Sequence, residues 1–107
     1  MTFRLIDESE RVREIAVRAF DPNSPERRAL TERAKRRGLG ELGDYRHTAA
    51  IGELRDISPP ACFAAEAALS NYGEPGPAIE AAVDAYREAR RSSIAWRRSR
   101  GLPTEET

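Results

Sequence analysis

An all-α fold, a single-domain bundle of four to five helices with a long C-terminal helix, is what this sequence predicts, and three observations predict it. Much of the 39% hydrophobic content is alanine, the strongest helix former, while only three Phe, three Tyr and one Trp are present. Apolar residues recur at spacings of three and four along successive segments rather than alternating. Proline, glycine and Ser/Asp caps stand at the ends of those segments. A chain of 107 residues is one domain by size. We place it at residues 1–103, with 104–107 as a loose tail. Such a chain buries roughly two-thirds of its unfolded surface, enough for one core without metal or disulfide staples.

The first helix lies in FRLIDESERVREIAVRAFDP, residues 3–22. Asp7 caps it with Glu10 three residues on, a capping-box arrangement. Val12, Ile15, Ala16, Ala19 and Phe20 fall on one stripe, and Pro22 closes the element. A strand reading with Ile15, Val17 and Ala19 on one face strands Val12 and Phe20 on the other. The second helix lies in NSPERRALTERAKRRGL, residues 23–39. Ser24 caps it, Pro25 takes the first helical position, and Glu26 and the Lys35–Arg37 run complement the two ends of the helix dipole. Gly38 takes the left-handed stop, with Leu39 folding back toward Ala34. Its apolar stripe, Ala29, Leu30 and Ala34, is thin, which predicts a peripheral position.

The third helix lies in GELGDYRHTAAIGELRDISPP, residues 40–60, capped by Asp44. Tyr45, Ala49, Ala50, Leu54 and Ile57 share its broad face. Gly52 costs about 1 kcal/mol relative to Ala in a helix, which predicts a close approach by another helix there. The fourth, SPPACFAAEAALSNYG at residues 58–73, is capped by Ser58 and stopped by Gly73. It is apolar nearly all round, with Cys62, Phe63, Leu69 and Tyr72 as its larger members, which predicts a central place in the bundle. The fifth, PAIEAAVDAYREARRSSIAWRRSRGLP at residues 77–103, carries Ile79, Ala82, Val83, Tyr86, Ala89 and Trp96 on one stripe. From Pro77 to Arg100 it runs about 36 Å, further than its neighbours reach. Its last turns, with Trp96, Arg97, Arg98 and Arg100, are predicted to extend past the core before Gly101 and Pro103 stop them.

The net charge is zero but unevenly spread: residues 1–26 sum to −2, 27–37 to +5, 38–85 to −6, 86–100 to +5 and 101–107 to −2. Seventeen of the eighteen basic residues are Arg, whose planar fork suits carboxylate and phosphate. One cysteine, Cys62, excludes an internal disulfide and predicts a reducing, cytoplasmic setting. The start MTFRLIDESERVRE turns acidic too soon for a signal peptide, and no apolar run approaches the ~20 residues of a membrane span.

Catalysis is not predicted. His47 and Cys62 are the only histidine and cysteine, and Cys62 sits in PACFAAEAAL, an apolar setting that raises a thiol pKa and silences it. His47 has Asp44 one turn earlier, which reads as a surface or capping pair. No second His or Cys exists to complete a metal site, and the carboxylates Glu66, Glu80 and Asp84 lack calcium-loop spacing. GLGELGD, residues 38–44, lacks the lysine and the strand–loop–helix context of a phosphate loop and reads as a helix stop followed by a turn. No cofactor is implied.

The arginines carry the sharper signal. RRALTERAKRRGLGELGDYR, residues 27–46, resembles the ribbon-helix-helix DNA-binding proteins: a basic helix, a Gly-containing turn and a second helix whose start carries a Tyr-x-Arg-like run. The resemblance implies that residues 13–22, REIAVRAFDP, form the strand that enters the major groove, with Arg18 facing the bases. The helical spacing of residues 9–20 predicts a helix there instead. A helix-turn-helix around Gly38 would place Glu41 and Asp44 where phosphates approach, which counts against it. A plain basic face built from Arg27, Arg28, Lys35, Arg36 and Arg37, beside Arg87, Arg91 and Arg98, would neutralise several phosphates, although Glu26, Glu32 and Glu88 are interspersed.

The competing class is protein interaction. An overlong last helix with Trp96 and Ile94 among Arg90, Arg97 and Arg98 has the composition of a binding hot spot. In the blander alternative Trp96 covers the end of the core with Leu102 folded back on it. The sequence therefore predicts a small non-enzymatic binding protein acting through protein contacts, with a second copy of itself as the simplest partner in a homodimer. Nucleic-acid binding through the second helix is the alternative, and no membrane partner is expected.

Overall fold

A computed structural model of the protein describes residues 4–38 and 49–106. Among them are five helices: α1 Ser9–Phe20, α2 Pro25–Arg36, α3 Ala49–Ile57, α4 Pro59–Tyr72 and α5 Pro75–Ser99. Two short strands, β1 Arg4–Leu5 and β2 Glu105–Glu106, pair in parallel, Arg4 opposite Glu105 and Leu5 opposite Glu106. The fold is all-α, as the alanine content and spacing predict. The α1 helix packs against α5 and α3, and α4 packs against the same two, so four helices close a ring while α2 leans on α1. The molecule measures 56 × 29 × 16 Å.

Local chemistry sets the ends. Asp7 Oδ1 accepts both the N–H and the hydroxyl of Ser9, but the N-cap position is Glu8, which makes no side-chain cap bond, so the expected capping box of Asp7 with Glu10 does not form. Those two bonds, the hydroxyl first, hold the Asp7 carboxyl below the ordinary carboxylate range. Ser24 serves both sides of a corner: its hydroxyl donates to the Arg18 carbonyl at the end of α1 and accepts the Arg27 N–H at the start of α2. The α3 helix takes its first-turn cap from another element, since the Ala50 N–H donates to the Glu26 carboxylate of α2 at 2.9 Å. Ser58 caps α4 by accepting the Ala61 N–H, and Gly73 ends it at φ +71°, a left-handed position that glycine adopts without a Cβ penalty.

The stripe Val12, Ile15, Ala16, Ala19 and Phe20 is buried in full and faces the core with Ile51, Leu54, Cys62 and Val83. Because α1 is helical to Phe20, the strand implied over residues 13–22 by the ribbon-helix-helix resemblance does not form, and Arg18 is ion-paired to Glu53 of α3.

Several expectations are corrected. The α4 helix is one wall of the ring, not its centre. It buries only an edge of Ala61, Cys62, Ala65 and Ala68, while Phe63 and Tyr72 are each 69% exposed. On α3 Ala50 and Leu54 are buried and Ile57 packs against the core as expected, but Ile51 is buried with them and Ala49 is exposed. A Cβ at Gly52 would meet nothing within 4 Å among the described residues, so none of the described helices makes the expected close approach there. Ala29 is exposed, which leaves α2 as peripheral as its thin stripe predicts. Glu105–Glu106, expected in a loose tail, lies beside β1. Asp44, Tyr45, His47 and Leu39 lie outside the described residues.

Leu54→Ala is expected to cost about 2–5 kcal/mol in urea unfolding, since it empties a fully buried site. Phe63→Ala should stay within about 0.5 kcal/mol, as an exposed side chain does. Ser58→Ala should cost about 1 kcal/mol through the lost cap.

Candidate interaction site on the last helix

Gly73 and Glu74 alone join α4 to α5, so the two helices form an antiparallel hairpin of unequal arms. The first arm has 14 residues and the second 25. At 1.5 Å per residue they measure about 21 and 37 Å, so α5 runs about 16 Å past the start of α4. One stripe of α5 records this. Ala78, Ala82, Ala85, Ala89, Ser93, Trp96 and Arg100 follow one another at spacings of three and four. The first two are buried, the next two half-buried, and the last three exposed. The stripe thus passes from buried to open surface along α5, and Trp96, the sole tryptophan, is 52% exposed on it.

An open depression of about 430 Å³ lies on this surface, lined among the described residues by Ser92, Ser93, Trp96 and Arg97. The Arg100 guanidinium stands over the Trp96 ring, 5.0 Å from its centroid. The end of the helix is firmly closed. Gly101 at φ +68° lets its N–H reach the Arg98 carbonyl and lets the Leu102 N–H reach that of Arg97, a Schellman stop. Arg97 then donates twice to the Pro103 carbonyl, at 3.1 and 2.9 Å. Ser99 donates its hydroxyl to the Trp96 carbonyl. Tyr86 fastens the chain's start to α5, accepting the Glu8 N–H (2.8 Å) and donating to the Ile6 carbonyl (3.1 Å).

Of the residues expected to bind a protein partner, Trp96 and Arg98 are exposed, Arg90 and Arg97 are half-buried, and Ile94 is buried at 7% exposure. Ile94 is therefore a packing residue and Trp96 the exposed anchor. Arg90, Arg97 and Arg98 all interact within the chain. Of the residues expected to meet nucleic acid, Arg28, Lys35, Arg36 and Arg37 are exposed, while Arg27 is buried where α2 meets α1 and drops out of any surface patch. The principal neighbour of α2 is α1. The overhang carrying Trp96, Arg97, Arg98 and Arg100 is where the unequal lengths of the fourth and fifth helical segments place it, while the stacking of Arg100 on Trp96 escaped the sequence reading.

Among the described residues, which do not include His47, no reactive groups converge. Cys62 is buried and its Sγ–H donates to Glu66. Burial first, and then the Glu66 carboxylate, push the thiol pKa up. Glu80 is ion-paired with Arg13 of α1, which holds its carboxyl below the ordinary range. Glu66 and Asp84 therefore do not join it in a cluster, and no group of three metal-binding side chains occurs among the described residues. No helix among them is long and apolar enough to cross a membrane. Comparison with known protein families, with curated proteins and with solved structures finds no match to this chain.

In the folded protein Cys62 should react with a thiol-disulfide reagent at pH 8 far more slowly than in urea, because the raised pKa and the burial both withhold the thiolate. Absorbance of the released reagent anion, followed with and without denaturant, measures the ratio.

Proposed function

We propose that this protein is a small, non-enzymatic helical binding protein that works through protein–protein contacts made by the C-terminal third of α5. One observation carries the reading: Trp96 is half-exposed on a helix that continues past the wall it packs against. A large aromatic set among arginines is the residue mixture that concentrates binding energy at interfaces. A buried thiol with a raised pKa is a poor nucleophile, which supports the non-catalytic part of the reading. The lone cysteine fits a reducing cytoplasm. A regulator, an inhibitor or an assembly subunit would each use such a surface.

The alternative is a nucleic-acid-binding regulator using α2. A specific observation favours it: Arg28, Lys35, Arg36 and Arg37 are exposed, and none is ion-paired to a described carboxylate. Against it stand Glu26 and Glu32 on the same helix and the burial of Arg27.

Light scattering and gel filtration of the purified chain and of its cell extract separate the two. Trp96→Ala should leave the unfolding midpoint nearly unchanged, since an exposed side chain contributes within about 0.5 kcal/mol. It should also release the chain from any larger assembly it forms. A wild-type complex with duplex DNA that dissociates steeply with salt would favour α2 instead. If Trp96→Ala leaves every assembly unchanged, the α5 reading fails.

A further inference from the structure

Building on that reading, we infer that the open track where α4 stops is the seat of an acidic amphipathic helix of a partner protein, lying along the last turns of α5 in line with α4. The shape argues for a helix. Ala78 and Ala82 are buried and Ala85 and Ala89 half-buried over the length of α5 that α4 can reach, and Ser93, Trp96 and Arg100 continue the same stripe, exposed, at the same three- and four-residue spacing. A helix surface with that spacing can receive the ridges of another helix. The open stretch of about 16 Å is three helical turns long. The chain does not supply the occupant from α4 itself, because Ser58 caps that helix and Pro59 and Pro60 hold its first turn.

Charge argues for an acidic partner. Ala89–Arg100 holds five arginines and no carboxylate. Arg100, exposed and stacked on Trp96, stands at the end of the stripe, with Arg97 at the edge of the depression. Carboxylates spaced along a partner helix would meet these arginines while an apolar side chain fills the space beside Ser92, Ser93 and Trp96. A second copy presenting its own overhang would bring five further arginines to the same place, and that repulsion selects against α5 pairing with itself.

Trp96 is the only tryptophan, so its fluorescence reports directly on the site. The probes are a synthetic helical peptide with leucine on one face and glutamate on the other, its lysine counterpart, and duplex DNA. The glutamate peptide is expected to shift Trp96 emission to shorter wavelength with saturation, and to weaken as salt rises beyond about 0.15 M. Arg100→Glu and Ser93→Glu should each weaken it at least tenfold while circular dichroism and the unfolding midpoint stay as in wild type. Both positions are exposed, so folding is not at issue. The inference is overturned if the glutamate peptide gives no shift, if the lysine peptide binds equally well, or if the two variants bind as tightly as wild type. A shift that grows with protein concentration alone would also overturn it, because a second copy would then be the occupant, but the binding reading would stand. A shift with duplex DNA and none with peptide would overturn both.

Discussion

The arrangement depends on one constraint: α4 and α5 pack through alanine, and the packing ends where α4 does. Ala61, Ala65 and Ala68 of α4 and Ala78 and Ala82 of α5 are all buried in the one core. Side chains this small let two helix axes approach closely, and the hairpin turn at Gly73 fixes them antiparallel. Each alanine withdraws little apolar area from water, so the contact gains its strength from repetition along the helix. Repetition has a definite end. Beyond Ser58 there is no α4 to supply it, and the stripe on α5 passes from buried to exposed within three turns.

The larger anchors lie elsewhere. Val12, Ile15, Ile51, Leu54 and Val83 come from α1, α3 and α5, and α1 is the helix that joins them, touching α5, α3 and α2. The ion pairs Arg13–Glu80 and Arg18–Glu53 run from α1 to the same neighbours. Both are substantially exposed, so they add little stability and serve chiefly to set which face of α1 turns inward. Two further ties bear on the overhang. Tyr86 holds the backbone at Ile6 and Glu8 against the middle of α5, and the parallel pairing of β1 with β2 brings the two ends of the described chain together. The last turns of α5 thus have support on the Ile94 side and none on the Trp96 side.

The sequence made helix ends and the α1 stripe legible, because caps, prolines and glycines act within a few residues and one stripe of large side chains has a single rotation that buries it. Ser24, Ser58, Gly73 and Gly101 do what their local chemistry requires. Rotation was legible only where large residues fix it. On α4 the apolar residues surround the helix, so nothing local distinguishes the alanine edge, which packs, from the Phe63 side, which does not. The same ambiguity turned Ala49 and Ile51 around on α3. Ties made by residues distant in the chain, Glu26 to Ala50 and Tyr86 to Glu8, leave no periodic trace. Within the candidate site the overhang and its arginines were visible from length and composition. The division between buried Ile94 and exposed Trp96 was not, because they are two residues apart on a helix and only the packing decides which side is covered.

Stability alone gives no account of Trp96. A helical segment of three turns does not hold itself together in water, and α5 keeps its last turns only through continuity with the packed part, the Schellman stop and the cover over Ile94. On the open side any polar residue would serve that purpose at least as well. Trp is a middling helix former, and leaving half of it in water forgoes most of what burial of an indole contributes. Arg100 recovers a little by stacking on the ring, and in doing so it holds a positive charge beside an apolar surface. That pairing of an aromatic face with a positive charge is the feature on which the proposed docking of an acidic helix rests.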